Sequence, residues 1–177
     1  LASYNGEKYI REQLDSILPQ LGENDEIIIS DDHSTDNTIN VIKSLNDSRI
    51  KIFENNLGKG YSRNFENAIN QATGDIIFLS DQDDVWMENK VELMTKELKQ
   101  NDLVVSDALI SDGNLNPTLG SHFKVHGTKK GFINNWLKTR YIGACMAFKK
   151  EILSKLLPFP KNTTLVAHDY WIANVGE

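Results

Sequence analysis

GDIIFLSDQDDVW (Gly74–Trp86) joins an apolar run of strand length to three closely spaced carboxylates, those of Asp81, Asp83 and Asp84. Like charges this close raise one another's pKa unless a cation offsets them. The alternative interpretation is an acidic turn that caps a helix beginning near Met87, since Asp is common at helix N-caps. The surrounding sequence distinguishes between these two interpretations, a ligand-binding site and a helix-capping turn.

The sequence around this stretch alternates apolar runs of strand length with segments of helical periodicity. The predicted strands are 26–30, 50–53, 75–80 and 103–110, and the predicted helices are 7–18, 34–45, 61–72 and 91–98. Such alternation predicts parallel βαβ units with right-handed crossovers. The fold class is therefore α/β, a Rossmann-like, mostly parallel sheet flanked by helices in a single domain.

The second half of the sequence is less regular. It predicts a loop over 111–131, a short helix over 132–137, a strand over 142–148 and a helix over 150–157 that ends at Pro158. The sequence opens at Leu1 without a methionine and ends just after the apolar stretch YWIANV, so we expect both ends to continue in a longer chain.

Composition excludes several classes of protein. The 177 residues carry a net charge of −6, which argues against a broad nucleic-acid surface. The single cysteine, Cys145, excludes an internal disulfide framework and a Cys-based zinc site, and its apolar context predicts a buried side chain. No apolar run approaches the roughly 20 residues of a membrane span, and no signal peptide is evident, so we expect a cytoplasmic protein.

Polar residues follow the strands of the predicted sheet, in ASYNG (2–6), DDHS (31–34) and DQDD (81–84). Ligands of open parallel sheets bind beyond the carboxyl ends of the strands, so we expect these segments to share one rim. Mg²⁺ or Mn²⁺ would offset the charge there, using one or two carboxylates and leaving positions for phosphate oxygens.

Asp31 and Asp32 end the second predicted strand, where a carboxylate can accept from ribose hydroxyls or from a base N–H. A carboxylate facing a pyrimidine N3–H would favour uracil or thymine, because cytosine offers only an acceptor there. The alternative is that DDHSTDNT is only a loop and helix cap, which is our interpretation of Ser34 and Asp36, with Ser34 or Thr35 as the N-cap.

The ordered segments ASYNGEKYIREQLDSIL, IIISDDHSTDNT, NLGKGYSRNFENAI, GDIIFLSDQDDVW and HDYW resemble inverting family 2 glycosyltransferases of the GT-A fold, from Leu1 to about Trp171. The pairing of SDQDDVW with HDYW is most similar to bacterial polysaccharide rhamnosyltransferases. The resemblance implies one GT-A catalytic domain over 1–177, with a nucleotide-sugar-binding half over 1–108 and an acceptor-side half over 109–177.

The resemblance also implies roles for individual residues. Tyr4 would stack on the base, Asp31 would recognise it, and Asp81 would lie near the ribose and donor sugar. Asp83 would bind Mg²⁺ or Mn²⁺ at the diphosphate, and Asp169 would be the catalytic base, because inversion needs a carboxylate opposite the leaving group. The remaining substrate-binding residues are Ala2, Ser3, Asp32, Lys59, Arg63 and Asp84. The Ala2 side chain departs from the small hydroxyl residue usual there, so its contact has to come from the backbone.

For several of these residues a structural interpretation stays open. Tyr4 could be a packed aromatic, and Lys59 and Arg63 could lie on a solvated surface. Asp169 could be the N-cap of the helix predicted at YWIANV. His168 is either a surface residue or a contact to metal or acceptor. Trp136 and Trp171 are either core residues or a sugar platform.

The function implied is transfer of a sugar from a UDP- or dTDP-linked donor to an acceptor hydroxyl in surface polysaccharide or glycolipid synthesis. The implied partners are the nucleotide-sugar and a saccharide or lipid-linked saccharide, with peripheral association at the inner face of the membrane left open. One alternative is a nucleotidyltransferase, but ASYNGEKY offers a single glycine where a Gly-rich phosphate loop is expected. A second alternative is a non-catalytic nucleotide-sugar-binding module, which would keep Asp31 and dispense with Asp169.

Overall fold

The computed structural model describes residues 1–128, 141–160 and 167–176, which form a mixed α/β domain. The helices are α1 Ile10–Ile17, α2 Thr38–Ser44, α3 Tyr61–Gln71, α4 Lys90–Leu98, α5 His122–His126, α6 Leu153–Leu156 and α7 His168–Gly176. The strands are β1 Ala2–Ser3, β2 Ile27–Asp31, β3 Ile50–Glu54, β4 Ile76–Phe78, β5 Leu103–Val105, β6 Leu109–Ser111, β7 Pro117–Ser121 and β8 Met146–Lys149.

The strand pairing is parallel in the first half of the chain and antiparallel in the second. β2 pairs in parallel with β1 and with β3, as predicted. β8 lies antiparallel between β4 and β5, which makes the sheet arrangement mixed. The backbone N–H of Ala2 donates to the carbonyl of Ser80 at 3.4 Å and so connects β1 to the segment after β4. The carboxyl ends of β1, β2 and β4 therefore meet at one rim.

Apolar helix faces bury the two sides of these strands. On one side, α1 buries Leu14 completely against a cluster that includes Ile29 of β2. On the other side, α3 buries Phe65 with Phe148 of β8 and Ile172 of α7. Full burial of a leucine stabilises a fold by about 1.5–3 kcal/mol, and Leu14→Ala would cost about 2–5 kcal/mol because a cavity adds to the lost transfer energy.

The segment after β5 differs from its prediction. The strand predicted over 103–110 is broken into β5 and β6, and the predicted loop contains β7 and α5. The turn between β6 and β7 is built on Asp112, whose Oδ1 accepts from the backbone N–H groups of Asn114 and Asn116 at 2.9 and 3.0 Å. Such turn residues are as polar as those of an irregular loop, so the sequence did not indicate the β6–β7 hairpin. The helix predicted over 132–137, and Trp136 with it, lie outside the described residues.

Two further features concern the whole fold. Cys145 is buried, as predicted. None of the helices in the described ranges combines the length and hydropathy that crossing a bilayer requires.

Candidate functional site

The loop after β1, residues 4–7, is held by side chains from other segments. Its first N–H donates to the DQDD segment, and the next three donate to residues just before or at the start of α2. The four bonds are Tyr4 N to Gln82 Oε1 at 2.9 Å, Asn5 N to Ser34 Oγ at 2.9 Å, Gly6 N to Thr38 Oγ1 at 2.7 Å and Glu7 N to Asp36 Oδ2 at 3.1 Å. Ser34 and Asp36 belong to the loop before α2, as interpreted, and Asp36 Oδ1 accepts from the backbone N–H of Thr38 at 3.0 Å. The N-cap of α2 is Asn37 and not Ser34 or Thr35.

Asp31 ends β2 with its carboxylate buried at 6% exposure. Oδ1 accepts from the hydroxyls of Ser3 and Ser34 at 2.8 and 2.6 Å, and Oδ2 accepts from the backbone N–H of Ser34 at 2.8 Å. Three donors from the fold thus fix this carboxylate at the rim. Ser3 is itself buried, and the Ala2 side chain packs in the core, so both support the loop from beneath.

Asp32 fixes the loop that carries Lys59. Its Oδ1 accepts from Asn55 Nδ2 and its Oδ2 from the backbone N–H of Gly60, both at 2.8 Å. Gly58 and Gly60 flank Lys59 with φ of 110° and 111°, a region that favours glycine. Lys59, whose side chain is exposed, therefore lies in a loop that is anchored to Asp32 through the adjacent Gly60.

Tyr4 directly follows β1 at the same rim. Its side chain is 55% exposed, which does not fit a packed core aromatic. An exposed tyrosine held through its backbone offers an open ring face at the rim.

The carboxylates of DQDD crowd together as the sequence predicted. Burial, followed by the charges of Asp84 and Asp83, raises the pKa of Asp81 to about 6, and the charge of Asp169 contributes to the same rise. The pKa of Asp84 is also raised, by desolvation and by Asp83. Asp169, distant in sequence, therefore lies within electrostatic reach of Asp81.

The carboxylates of DQDD fit a divalent ion whose remaining coordination positions are filled by a bound phosphate-containing substrate. Within the part of the chain that the structure describes, no three His, Cys, Asp or Glu side chains form a metal-binding group. The side chain of Asp83 is exposed, and the raised pKa of Asp81 reflects its burial together with the uncompensated negative charges of Asp84 and Asp83. One or two carboxylates, with phosphate oxygens completing the shell, is the arrangement that Mg²⁺ uses.

Lys90 is a cation near this acidic segment that sequence reasoning missed. Its Nζ donates to the carbonyl of Ala144 at 3.1 Å and lies 4.4 Å from the ring centroid of the buried Trp86. The charges of Asp84 and Asp81 oppose the burial that lowers the pKa of Lys90. The spacing of Trp86 and Lys90, four residues apart where α4 begins, was the available signal.

Asp169 stands in the first turn of α7, where its Oδ1 accepts from the backbone N–H of Tyr170 at 2.7 Å. The preceding His168 is 7% exposed, so its interpretation as a surface residue was wrong. Its ring stacks on Phe65 with centroids 4.3 Å apart, and neither ring nitrogen has a hydrogen-bond partner among the described residues. Burial lowers the pKa of His168 to about 4, so the ring is neutral at pH 7.

Two other residues have structural partners. Arg63 pairs with Glu66 and donates to the carbonyls of Phe159 and Pro160 at 3.4 and 3.0 Å, so its guanidinium joins α3 to a distant segment. Trp171 packs against the core and donates from Nε1 to the carbonyl of Leu156 at 2.8 Å, which favours the core interpretation over a sugar platform.

A cavity of about 780 Å³ lies elsewhere, toward the amino ends of β2 and β4. Its lining includes Ile27, Ile77 and Trp86 and none of the rim carboxylates of Asp31, Asp83 and Asp169. The cavity is therefore separate from the rim, where the carboxylates lie.

Known proteins are similar to this chain in sequence and in fold. The Escherichia coli protein WfgD, named as a UDP-Glc:alpha-D-GlcNAc-diphosphoundecaprenol beta-1,3-glucosyltransferase, is 31% identical over 160 residues, covering 90% of this chain and 62% of that protein. The dTDP-rhamnosyl transferase RfbG of Shigella flexneri is 40% identical over 100 residues, covering 52% and 34%.

Two solved structures have the same fold at lower identity. The S. aureus protein TarS 1-349 in complex with UDP matches with a TM-score of 0.74 and 20% identity, covering 97% of this chain and 52% of that one. The mannosyltransferase PcManGT from Pyrobaculum calidifontis, in complex with GDP-Man and Mn²⁺, matches with a TM-score of 0.66 and 22% identity, covering 91% and 46%. Both are glycosyltransferases of the GT-A fold, and this chain therefore has that fold.

The chain spans 62% or less of the length of each of these four proteins. A family model described as Glycosyl transferase family 2 matches residues 1–157, which is most of the chain and includes the whole rim except Asp169. By this match the chain belongs to glycosyl transferase family 2.

Proposed function

We propose that this chain is the catalytic domain of an inverting glycosyltransferase that moves a sugar from a UDP- or dTDP-linked donor to an acceptor hydroxyl. The observation that carries the proposal is the placement of Asp169 within electrostatic reach of Asp81, one of the crowded carboxylates of DQDD. A donor diphosphate with its counter-ion would relieve that crowding. The Asp169 carboxylate would then be available to the acceptor hydroxyl.

On the donor side, Tyr4 stacks on the base through its exposed ring, and Asp31 and Asp32 accept hydrogen bonds from the base and the ribose. Both keep acceptor capacity beyond the bonds they already make. Lys59 faces the nucleotide from its glycine-flanked loop. Arg63 has no such role in this proposal, because its guanidinium is bonded to Glu66 and to the carbonyl of Pro160. Ala2 and Ser3 shape the floor.

Asp83, helped by Asp84, would hold Mg²⁺ or Mn²⁺. Such an ion supplies Lewis-acid stabilisation of the negative charge on a departing diphosphate. The presence of Mn²⁺ in the structure of PcManGT supports this choice of cofactor. Asp81 faces the ribose and donor sugar beside it.

Asp169 acts as the general base. It takes the proton of the acceptor hydroxyl as that oxygen bonds to the anomeric carbon and the bond from that carbon to the diphosphate oxygen breaks. The rim holds both partners in line, so the product has the inverted configuration.

The acceptor we propose is a saccharide, free or lipid-linked, in bacterial surface polysaccharide or glycolipid synthesis. The names of WfgD, with a diphosphoundecaprenol-linked substrate, and of the rhamnosyl transferase RfbG support this class. Such a substrate would place the enzyme in the cytoplasm, at the inner face of the membrane.

The test uses the full-length protein with Mn²⁺ and a panel of UDP- and dTDP-sugars, read first by thermal shift and then by transfer to a saccharide acceptor. Binding raises apparent stability. Asp169→Asn should keep nucleotide binding and lose transfer. No stabilisation by any nucleotide, or transfer by Asp169→Asn at the wild-type rate, would contradict the proposal.

A further inference from the structure

We infer that Gln82, the middle residue of the D-Q-D segment, is a positioning residue that ties the acidic segment to the loop carrying Tyr4. The inference deepens the proposed function and rests on it. Gln82 Oε1 accepts from the backbone N–H of Tyr4, and Gln82 Nε2 donates to the carbonyl of Tyr4, each at 2.9 Å. One side-chain amide thus satisfies both backbone groups of the residue that presents the stacking ring.

This pairing holds the backbone of Tyr4, as other side chains hold the rest of the loop. The next three residues of the loop are bonded to Ser34, Thr38 and Asp36, while the backbone of Tyr4 is bonded to Gln82. The Tyr4 side chain is exposed and gains little from packing. The position of its ring therefore follows the position of Gln82.

Gly6 leaves the space that the pairing needs. A Cβ added at Gly6 would overlap the amide of Gln82, which lies directly against the glycine backbone. The loop after β1 thus accommodates the Gln82 amide as well as bonding to it. A side chain at position 6 would push Gln82 away from Tyr4.

Gln82 also lies between two carboxylates of the acidic segment, Asp81 and Asp83. A counter-ion or diphosphate that orders this segment would order the Gln82 amide, and with it Tyr4. Binding at the diphosphate end and stacking at the nucleoside end are coupled through these two hydrogen bonds. Such coupling is reciprocal between the two ends.

The chain offers a matched control. Gln20 also bridges distant backbone groups with its amide, since Nε2 donates to the carbonyl of Ser16 at 2.9 Å and Oε1 accepts from the N–H of Val91 at 3.2 Å. It is half-buried like Gln82 but lies away from the rim. Gln20→Met and Gln82→Met therefore each remove two amide hydrogen bonds. The first variant loses a contact that only supports the fold, and the second loses the contact proposed to couple the two ends of the site.

The experiment measures uridine affinity by calorimetry, with and without Mn²⁺, on the full-length protein. Uridine has no phosphate, so any effect of Mn²⁺ on it has to pass through the protein. We expect Gln82→Met to weaken uridine binding about tenfold, as loss of two ordering hydrogen bonds allows. We expect Mn²⁺ to tighten uridine binding about fivefold in the wild type, and not in the variant. Gln20→Met should match the wild type.

A second variant guards against misfolding. Gly6→Ala leaves Gln82 unchanged but pushes its amide away from Tyr4, so it should weaken uridine binding as well. Equal uridine affinity in Gln82→Met and the wild type, or an equal loss in Gln20→Met, would overturn the inference while the proposed function stood. A wild-type protein that binds neither uridine nor UDP would overturn both.

Discussion

The carboxylate of Glu66 joins two elements that are far apart in sequence, because it pairs with Arg63 one helical turn away and accepts from the backbone N–H of Phe159 at 2.9 Å. Glu66 is 4% exposed, and Arg63 donates to the carbonyl of Pro160 from the same position. This buried ion pair fastens α3 to the segment after α6.

Glu66→Gln should therefore be clearly destabilising. The glutamine can still accept from Phe159, but its amide presents N–H groups to the guanidinium of Arg63 and leaves that charge unpaired. We expect a loss of about 2–4 kcal/mol in the free energy of unfolding, measured in urea at pH 7. Asp15→Asn is the control, because the Arg11–Asp15 pair is exposed and its removal should cost under about 0.5 kcal/mol. Equal losses in the two variants would contradict a structural role for Glu66.

His168 should make the fold sensitive to acid. Burial lowers its pKa to about 4 from 6.5, so between those values the unfolded chain binds a proton that the native state does not. The stabilising contribution is complete above pH 6.5 and is lost as the pH falls toward 4, by up to about 3 kcal/mol. His168→Leu should flatten this dependence in urea unfolding measured from pH 7 to pH 4.5.

The control for this prediction is His33, an exposed histidine that pairs with Glu54. His33→Asn suits the positive φ of 62° at that position and should keep the wild-type free energy of unfolding at pH 7. A His168→Leu variant that loses stability with acid as steeply as the wild type would show that other groups cause the loss.

Asp81→Asn should separate stability from binding. The raised pKa of Asp81 means that its ionised form is held against burial and the charges of Asp84 and Asp83. Removing the charge should stabilise the protein without ligand by about 1–3 kcal/mol at pH 7, or a melting temperature higher by about 2–10 °C. The variant should bind UDP with Mn²⁺ at least about tenfold more weakly. A melting temperature that falls, or unchanged UDP affinity, would contradict this account of Asp81.

The sequence predicted the rim better than the partners within it. Strand ends and local charge can be recognised in short stretches of sequence. The order of the strands was therefore enough to predict that DQDD and DDHS lie close together. The bonds of Gln82 to Tyr4 and of Ser34 to Asn5 join segments that only the folded backbone brings together. Turn residues of the β6–β7 hairpin carry no apolar period, and the reversed direction of β8 depends on pairing rather than on its own residues.

Gly60 provides a test of the Lys59 loop. Its φ of 111° is unfavourable for any residue with a Cβ, although nothing lies within 4 Å of a Cβ added there, so the cost of Gly60→Ala is conformational. We expect a loss of about 1–3 kcal/mol in unfolding free energy, or displacement of the loop from Asp32. Displacement would move Lys59 and should weaken UDP binding several-fold in calorimetry.

Gly113→Ala is the matched control for Gly60, because that position also has open space and its φ lies outside the positive region. It should change unfolding free energy by no more than about 0.5 kcal/mol and leave UDP affinity unaltered. Wild-type stability together with wild-type UDP affinity in Gly60→Ala would mean that the bond from the Gly60 N–H to Asp32 does not position Lys59. Loss of stability with unchanged affinity would place Lys59 outside the nucleotide site.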